Sequence, residues 1–152
     1  MSMYVIQTLM GALGSVGFAL LFRIRGRKLI WAGIGGAMSW AAYLVCFHGG
    51  LGVFLSLFLA TSAAAVLSEV LARVVKAPVL MLLVPMLVPM IPGGDLYAMM
   101  SRLVVGAYEE LGYYSQLVLT EAGAIALGII CTASLTNILN GLRGRLSHEK
   151  RP

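Results

Sequence analysis

The sequence predicts an all-α, polytopic membrane protein of about five transmembrane helices, the fourth broken by prolines, with one short amphipathic helix at the interface. Three observations carry that expectation. Of 152 residues, 60% are hydrophobic and the mean hydropathy is +0.93. A soluble fold of this size has too little interior for such a load, whereas several spans of about 20 residues absorb it. Ten of the eleven Lys and Arg residues fall in three clusters at the ends of apolar runs, which reads as membrane orientation and not as nucleic-acid binding. Pro78, Pro85, Pro89 and Pro92 all fall in or beside one apolar stretch. The whole chain, 1–152, reads as a single transmembrane helical domain.

The first span runs from about Tyr4 to Phe22. No basic region precedes it and no convincing small-residue cleavage site comes after it, so it reads as retained and not as a signal peptide. It stops at Arg23, Arg25, Arg27 and Lys28, a short basic turn of the cytoplasmic kind. The second span, Leu29 to about Phe47, has Trp31 near its inner end and Tyr43 near its outer end, as an interfacial belt requires. His48, Gly49 and Gly50 make an uncharged turn. The third span, Leu51 to Ala72, stops at Arg73 and Lys76.

The fourth, Pro78 to about Ile91, reaches only about 21 Å, short of a hydrocarbon core of roughly 30 Å. A thin crossing, a half-helix continued by the next segment and a re-entrant hairpin all fit. Pro92, Gly93 and Gly94 interrupt the chain, and Asp95 is placed to cap a helix from Leu96 to about Leu111. That helix sets Arg102, Glu109 and Glu110 among apolar residues and reads as interfacial. Tyr113 and Tyr114 precede the fifth span, Gln116 to about Leu139, and Arg143, Arg145, Lys150 and Arg151 fill the tail. With five crossings the three basic clusters share one side, which places the N-terminus outside and the C-terminus in the cytoplasm. A re-entrant fourth segment would split the clusters between two sides.

Pro85 and Pro89, four apart, share one face of a helix. Each proline removes a donor and crowds the carbonyl four residues back, so the carbonyls of Met81, Pro85 and Val88 are expected to lose helical partners. At membrane depth such groups need protein or water around them, and broken helices recur at transporter binding sites. A kinked helix whose neighbours satisfy those carbonyls is the plainer alternative.

Glu69 stands four residues before Arg73. It is either one half of an i, i+4 pair or an intramembrane carboxylate that relays a proton or cation, or holds a substrate amine. Glu121, near the outer end of the fifth span, has the same two readings with interfacial exposure as the plain one. Small residues recur every fourth position at Gly52, Ser56, Ala60, Ala64, Ser68 and Ala72, and again at Thr120, Ala124, Gly128, Thr132, Thr136 and Asn140. Helix packing explains most of this, while the hydroxyls of Thr61, Ser62, Ser68, Thr132, Ser134 and Thr136 also suit a polar path. Cys46 and Cys131 sit inside apolar spans as packing residues, with no metal or disulfide framework. Gly11, Gly14 and Gly17 have the wrong spacing for a phosphate loop, and no cofactor is expected.

Glu69, Ala72-Arg73, Lys76-Ala77-Pro78, the stretch with spaced prolines, Ile91-Pro92-Gly93-Gly94 and Leu96-Tyr97 together resemble the threonine/serine exporter family. The run Pro92 to Tyr97, Pro-Gly-Gly-x-Leu-Tyr, is the more specific part, and the chain is similar to the C-terminal half of the full-length exporters. The resemblance implies a bacterial inner-membrane export component that works with a larger membrane subunit. Its implied cargo is small amino acids or, for split members, small dicarboxylates. Self-association and a small carboxylate-bearing substrate are the other expected partners; nucleic acid is not.

The expected mechanism is secondary export beside the broken helix. The helix start at Pro78 offers N–H groups to a carboxylate, Arg73 and Lys76 attract anions, and Glu69 takes up the driving proton. With Pro85, Pro89, Pro92, Gly93, Gly94, Asp95, Tyr97, Glu121 and Thr132 these are the candidate site residues. A non-transporting assembly subunit and a passive channel are the rival readings. An intramembrane enzyme is disfavoured, because His48 falls in an outer turn and His148 in the tail.

Overall fold

The computed structural model describes the backbone of residues 2–149 and the side chains of residues 3–139, and every element is helical. The helices are α1 (Ser2–Leu21), α2 (Arg27–His48), α3 (Val53–Val74), α4 (Val79–Leu87), α5 (Gly93–Val105) and α6 (Tyr108–Glu149), with a 3₁₀ turn at Val88–Met90 between α4 and α5. Four of them, α1, α2, α3 and α6 as far as Leu139, are long and apolar enough to cross a membrane. The segment Val79–Met90 and α5 pass the same test only as a pair, bent by 55° at their junction. The chain is therefore a polytopic membrane protein with four or five long apolar helices. The tail residues Arg143, Arg145, His148, Glu149, Lys150 and Arg151 lie outside the described side chains.

Helices α1, α2 and α3 pack in sequence, and α4 rises through their midst, touching all three. Leu82, Pro85 and Met86 of α4 are fully buried. Leu82 and Met86 meet Leu71 and Ala72 of α3, with Trp31 alongside. Further along, Met90 joins Leu57, Ala60 and Ala64 of α3 and Ala124 of α6. Helix α6 packs on α3 and runs in the same direction, while α5 has α6 as its main neighbour. No residue of α5 is buried.

Glycine makes this packing close. A Cβ on Gly36 would overlap the Ser15 hydroxyl of α1, and one on Gly35 would overlap the Met86 side chain. On α6, a Cβ at Gly128 would stand 3.0 Å from the Phe58 carbonyl oxygen. Small residues thus bring backbones together where lipid gives helices little hydrophobic drive to associate. The ladder on α3 serves the same end: Ser56, Ala60, Ala64, Ser68 and Ala72 are all buried. Ser56 and Ser68 donate to the carbonyls of Leu51 and Ala65 on their own chain segment, each at 2.8 Å. Packing, not a polar path, accounts for this ladder.

Four helix ends share one cap. The N–H groups of Ile24, Leu51, Ala77 and Ala107 reach back five residues to the carbonyls of Ala19, Cys46, Ala72 and Arg102, the six-to-one bond of a Schellman motif. The left-handed residue before each donor is Arg23 (φ 57°), Gly50 (φ 87°), Lys76 (φ 49°) and Gly106 (φ 78°). Glycine fills that place at one end of the bundle and a cation at the other. The two basic turns meet: Arg25, Arg27, Lys28 and Lys76 surround a cleft of about 510 Å³.

Several expectations need correction. The carbonyls of Pro85 and Val88 are not bare, because tightening to 3₁₀ geometry lets Val88 N–H donate to Pro85 and Ile91 N–H to Val88. Asp95 does not cap α5. The helix starts at Gly93 after Pro92, with no side-chain cap bond, and Asp95 lies in its first turn. The helix expected to run to Leu111 stops at Val105, where Gly106 turns the chain. Residues from Tyr108 onward, including Glu109 and Glu110, belong to α6, which begins well before Gln116.

Candidate functional site

Two places beside α6 set charged side chains among other polar ones. The first is a groove of about 670 Å³ between α3 and α6. Helix α3 contributes Ser62, Glu69 and Arg73, and α6 contributes Cys131, Thr132 and Thr136, with Val66, Val70, Leu135 and Leu139 as its apolar walls. The two helices run side by side because Gly128 lets α6 approach the α3 backbone, and the groove opens beyond that contact. Glu69 and Arg73 lie one turn apart on the same face. Their nearest charged atoms are 3.8 Å apart, with the carboxylate side chain 20% exposed and the guanidinium 59%. So loose and wet a pair contributes little to stability. It sets an anionic and a cationic group side by side in one groove. Thr132 is 7% exposed, and the Thr136 hydroxyl donates to the Thr132 carbonyl at 2.9 Å.

The second place is where the bend between the 3₁₀ turn and α5 meets α6. Glu121 of α6 is only 8% exposed, which goes against solvent exposure, the plainer of its two sequence readings. Its carboxyl lies in the neighbourhood of Asp95 of α5, and one of its oxygens is buried without a partner. Tyr43 of α2 lies near both carboxyls and packs on the cluster around Met90. Beside it, the rings of Trp40 and Tyr43 lie 5.1 Å apart, and the Trp40 indole N–H is also buried without a partner.

The remaining predicted residues scatter. Pro85 is enclosed at the bundle centre. Pro89 lies beside Gly11 and Trp40, since a Cβ on Gly11 would stand 3.4 Å from the Cβ of each. Pro92 precedes α5. Pro78 is exposed at the start of α4, Gly93 and Gly94 are exposed with open space where a Cβ would go, and Tyr97 is 77% exposed. Lys76 stands in the basic cleft and not in the groove with Arg73. Sequence reasoning does not select Tyr43, Trp40, Ser62, Thr136 or Cys131 as site residues. The hydroxyls carry a signal, but that Tyr43 faces inward depends on tertiary packing.

A profile described as Threonine/Serine exporter, ThrE, matches residues 7–135, most of the chain. No curated protein and no solved structure matches it. No group of three or more metal-ligating side chains gathers among the described residues. An all-α membrane bundle with polar groups set into its interior accords with transport. By the extent of that match, the chain belongs to the threonine/serine exporter family.

Proposed function

We propose that this chain is the membrane subunit of a secondary exporter that moves small amino acids, or small dicarboxylates, out of the cytoplasm together with a larger partner subunit. One observation carries the reading beyond the family: the groove between α3 and α6 offers a carboxylate, a guanidinium and hydroxyls within a largely apolar bundle. Those are the groups a zwitterionic hydroxy amino acid requires. Glu69 faces the ammonium, Arg73 the carboxylate, and Thr132 and Thr136 supply hydroxyl contacts. A dicarboxylate would use Arg73 and leave Glu69 as a repulsive neighbour, so the groove favours the amino acid.

The rest of the proposal builds on those contacts. The basic turns face the cytoplasm, which sets the N-terminus outside and the described end of α6 inside in a bacterial inner membrane. Pro89 and Pro92 break the fourth span, and α5 rests at the outer interface. Lys76 and its neighbours concentrate anions at the inner mouth. Counterflow in proteoliposomes, with and without the larger subunit, tests the reading with serine, threonine and succinate as solutes. Saturable exchange of an amino acid supports it; equal leakage of all three marks a passive pore, and no flux with the partner present marks an assembly subunit.

A further inference from the structure

The basic cleft joins two turns that are far apart in the chain. Arg25, Arg27 and Lys28 reach it from the turn before α2 and the first residues of that helix, and Lys76 reaches it from the turn between α3 and α4. Its other lining residues are Trp31, Val74 and Val75. Trp31 and Val75 are half-buried and pack on the cluster of Leu71, Ala72, Leu82 and Met86. The cleft thus has an apolar floor anchored in the core beneath exposed cations. Its volume of about 510 Å³ falls within the range of about 300–1,000 Å³ usual for small-molecule sites.

The protein does not answer this charge. No carboxylate lines the cleft, and among the described residues none of its four cations forms an ion pair. Arg27 and Lys28 stand in the first turn of α2, which has no acidic residue and no side-chain cap, so the positive end of the helix adds to their charge. Lys76 holds left-handed backbone (φ 49°), a conformation that strains a side chain and not a glycine. An anion in the cleft relieves the repulsion from both turns and from the helix end at once. The floor decides which anion. Free phosphate or a free carboxylate makes no use of Trp31, Val74 and Val75. An anionic phospholipid brings a phosphodiester for the guanidinium forks and glycerol and acyl carbons for the floor, and an indole belongs at the level where headgroup meets chain. A zwitterionic lipid would bring its own ammonium into the field of four cations.

We propose that this cleft is a specific site for one anionic glycerophospholipid, its phosphodiester held by Arg25, Arg27, Lys28 and Lys76 and its glycerol end resting on Trp31 and Val75. General attraction between basic turns and an anionic leaflet needs charge alone; this site needs the cleft as well. The bound lipid ties the start of α2 to the end of α3 and the entry to α4, and it screens the repulsion between the two turns. The inference does not depend on export or on what is exported.

Trp31 is a built-in reporter, since Trp40 is the chain's other tryptophan and Trp40→Phe leaves Trp31 alone. The chain with that change is reconstituted in phosphatidylcholine containing increasing amounts of chain-brominated phosphatidylglycerol. Trp31 fluorescence should be quenched saturably at a low mole fraction of the brominated lipid and restored by unlabelled phosphatidylglycerol. Arg27→Gln and Lys76→Gln should each weaken this binding about tenfold or more, the worth of one charge-assisted hydrogen bond. Arg23→Gln removes the same charge from the first turn but outside the cleft, and should leave binding unchanged. Native mass spectrometry of the unaltered chain should show one phosphatidylglycerol retained per chain, a readout that needs no substitution. Quenching that rises in proportion to the brominated lipid, alike in all three charge variants, would overturn the proposal and leave diffuse attraction to the leaflet. Displacement by inorganic phosphate as readily as by phosphatidylglycerol would also overturn it, because the ligand would then be a free anion.

Discussion

Arg23 and Lys76 occupy left-handed backbone where the other two Schellman caps use Gly50 and Gly106. A side chain in that conformation costs about 1–2 kcal/mol. Replacement by glycine gives back part of this through the greater freedom of the unfolded chain, about 0.5–1 kcal/mol. Arg23→Gly and Lys76→Gly should therefore each stabilise the fold by about 0.5–1 kcal/mol when charge plays no part. Against an anionic leaflet each lost cation forfeits about 1 kcal/mol of surface attraction. The gain should appear in nanodiscs of zwitterionic lipid and vanish in nanodiscs rich in phosphatidylglycerol. Denaturant unfolding of the two variants in both lipids measures it. A loss of stability in zwitterionic lipid refutes the strain argument, and an equal gain in both lipids refutes the electrostatic role of the basic end.

Gly36→Ala should destabilise the chain by about 1–3 kcal/mol, because its Cβ meets the short, fixed side chain of Ser15. Adding Ser15→Gly removes the obstacle, so a double-mutant cycle should show a favourable coupling of at least about 1 kcal/mol; additive effects would contradict the α1–α2 contact. Gly128→Leu should push α6 off the Phe58 carbonyl and lower stability by about 1–3 kcal/mol, read as reduced thermal stability in detergent. Glu69→Gln should reduce serine and threonine exchange by about ten- to hundredfold, the value of about 1.5–3 kcal/mol for a charged hydrogen bond, while succinate exchange holds or rises. Equal loss for all three solutes would remove Glu69 from ammonium recognition. Phosphatase and fluorescent-protein fusions at the N-terminus should report the outer side; an inner signal there reverses the assigned topology.

Most helix ends are legible in the sequence because charge and glycine punctuate them. Arg23 to Lys28, Gly49-Gly50 and Arg73 to Lys76 all mark observed turns. Gly106 is as clear a signal, yet the apolar pattern running through Leu103, Val104 and Ala107 masks it and carries the predicted helix on through Glu110. The prolines announce a disturbance but not its remedy, since a missing i+4 donor can be replaced by an i+3 donor when the chain tightens. Glu69 and Arg73 are visible as a pair because one helical turn separates them. The nearness of Asp95 to Glu121 is not, because it depends on how α5 folds back against α6, and local sequence does not encode that register.

Cys131 offers the most direct test of the transport groove, since it is exposed and lines that groove, whereas half-buried Cys46 does not. In a Cys46→Ala background, serine or threonine should slow alkylation of Cys131 by a polar maleimide, and a bulky adduct there should block exchange. Labelling at the same rate with and without amino acid, together with full exchange through the alkylated protein, would place the solute path elsewhere.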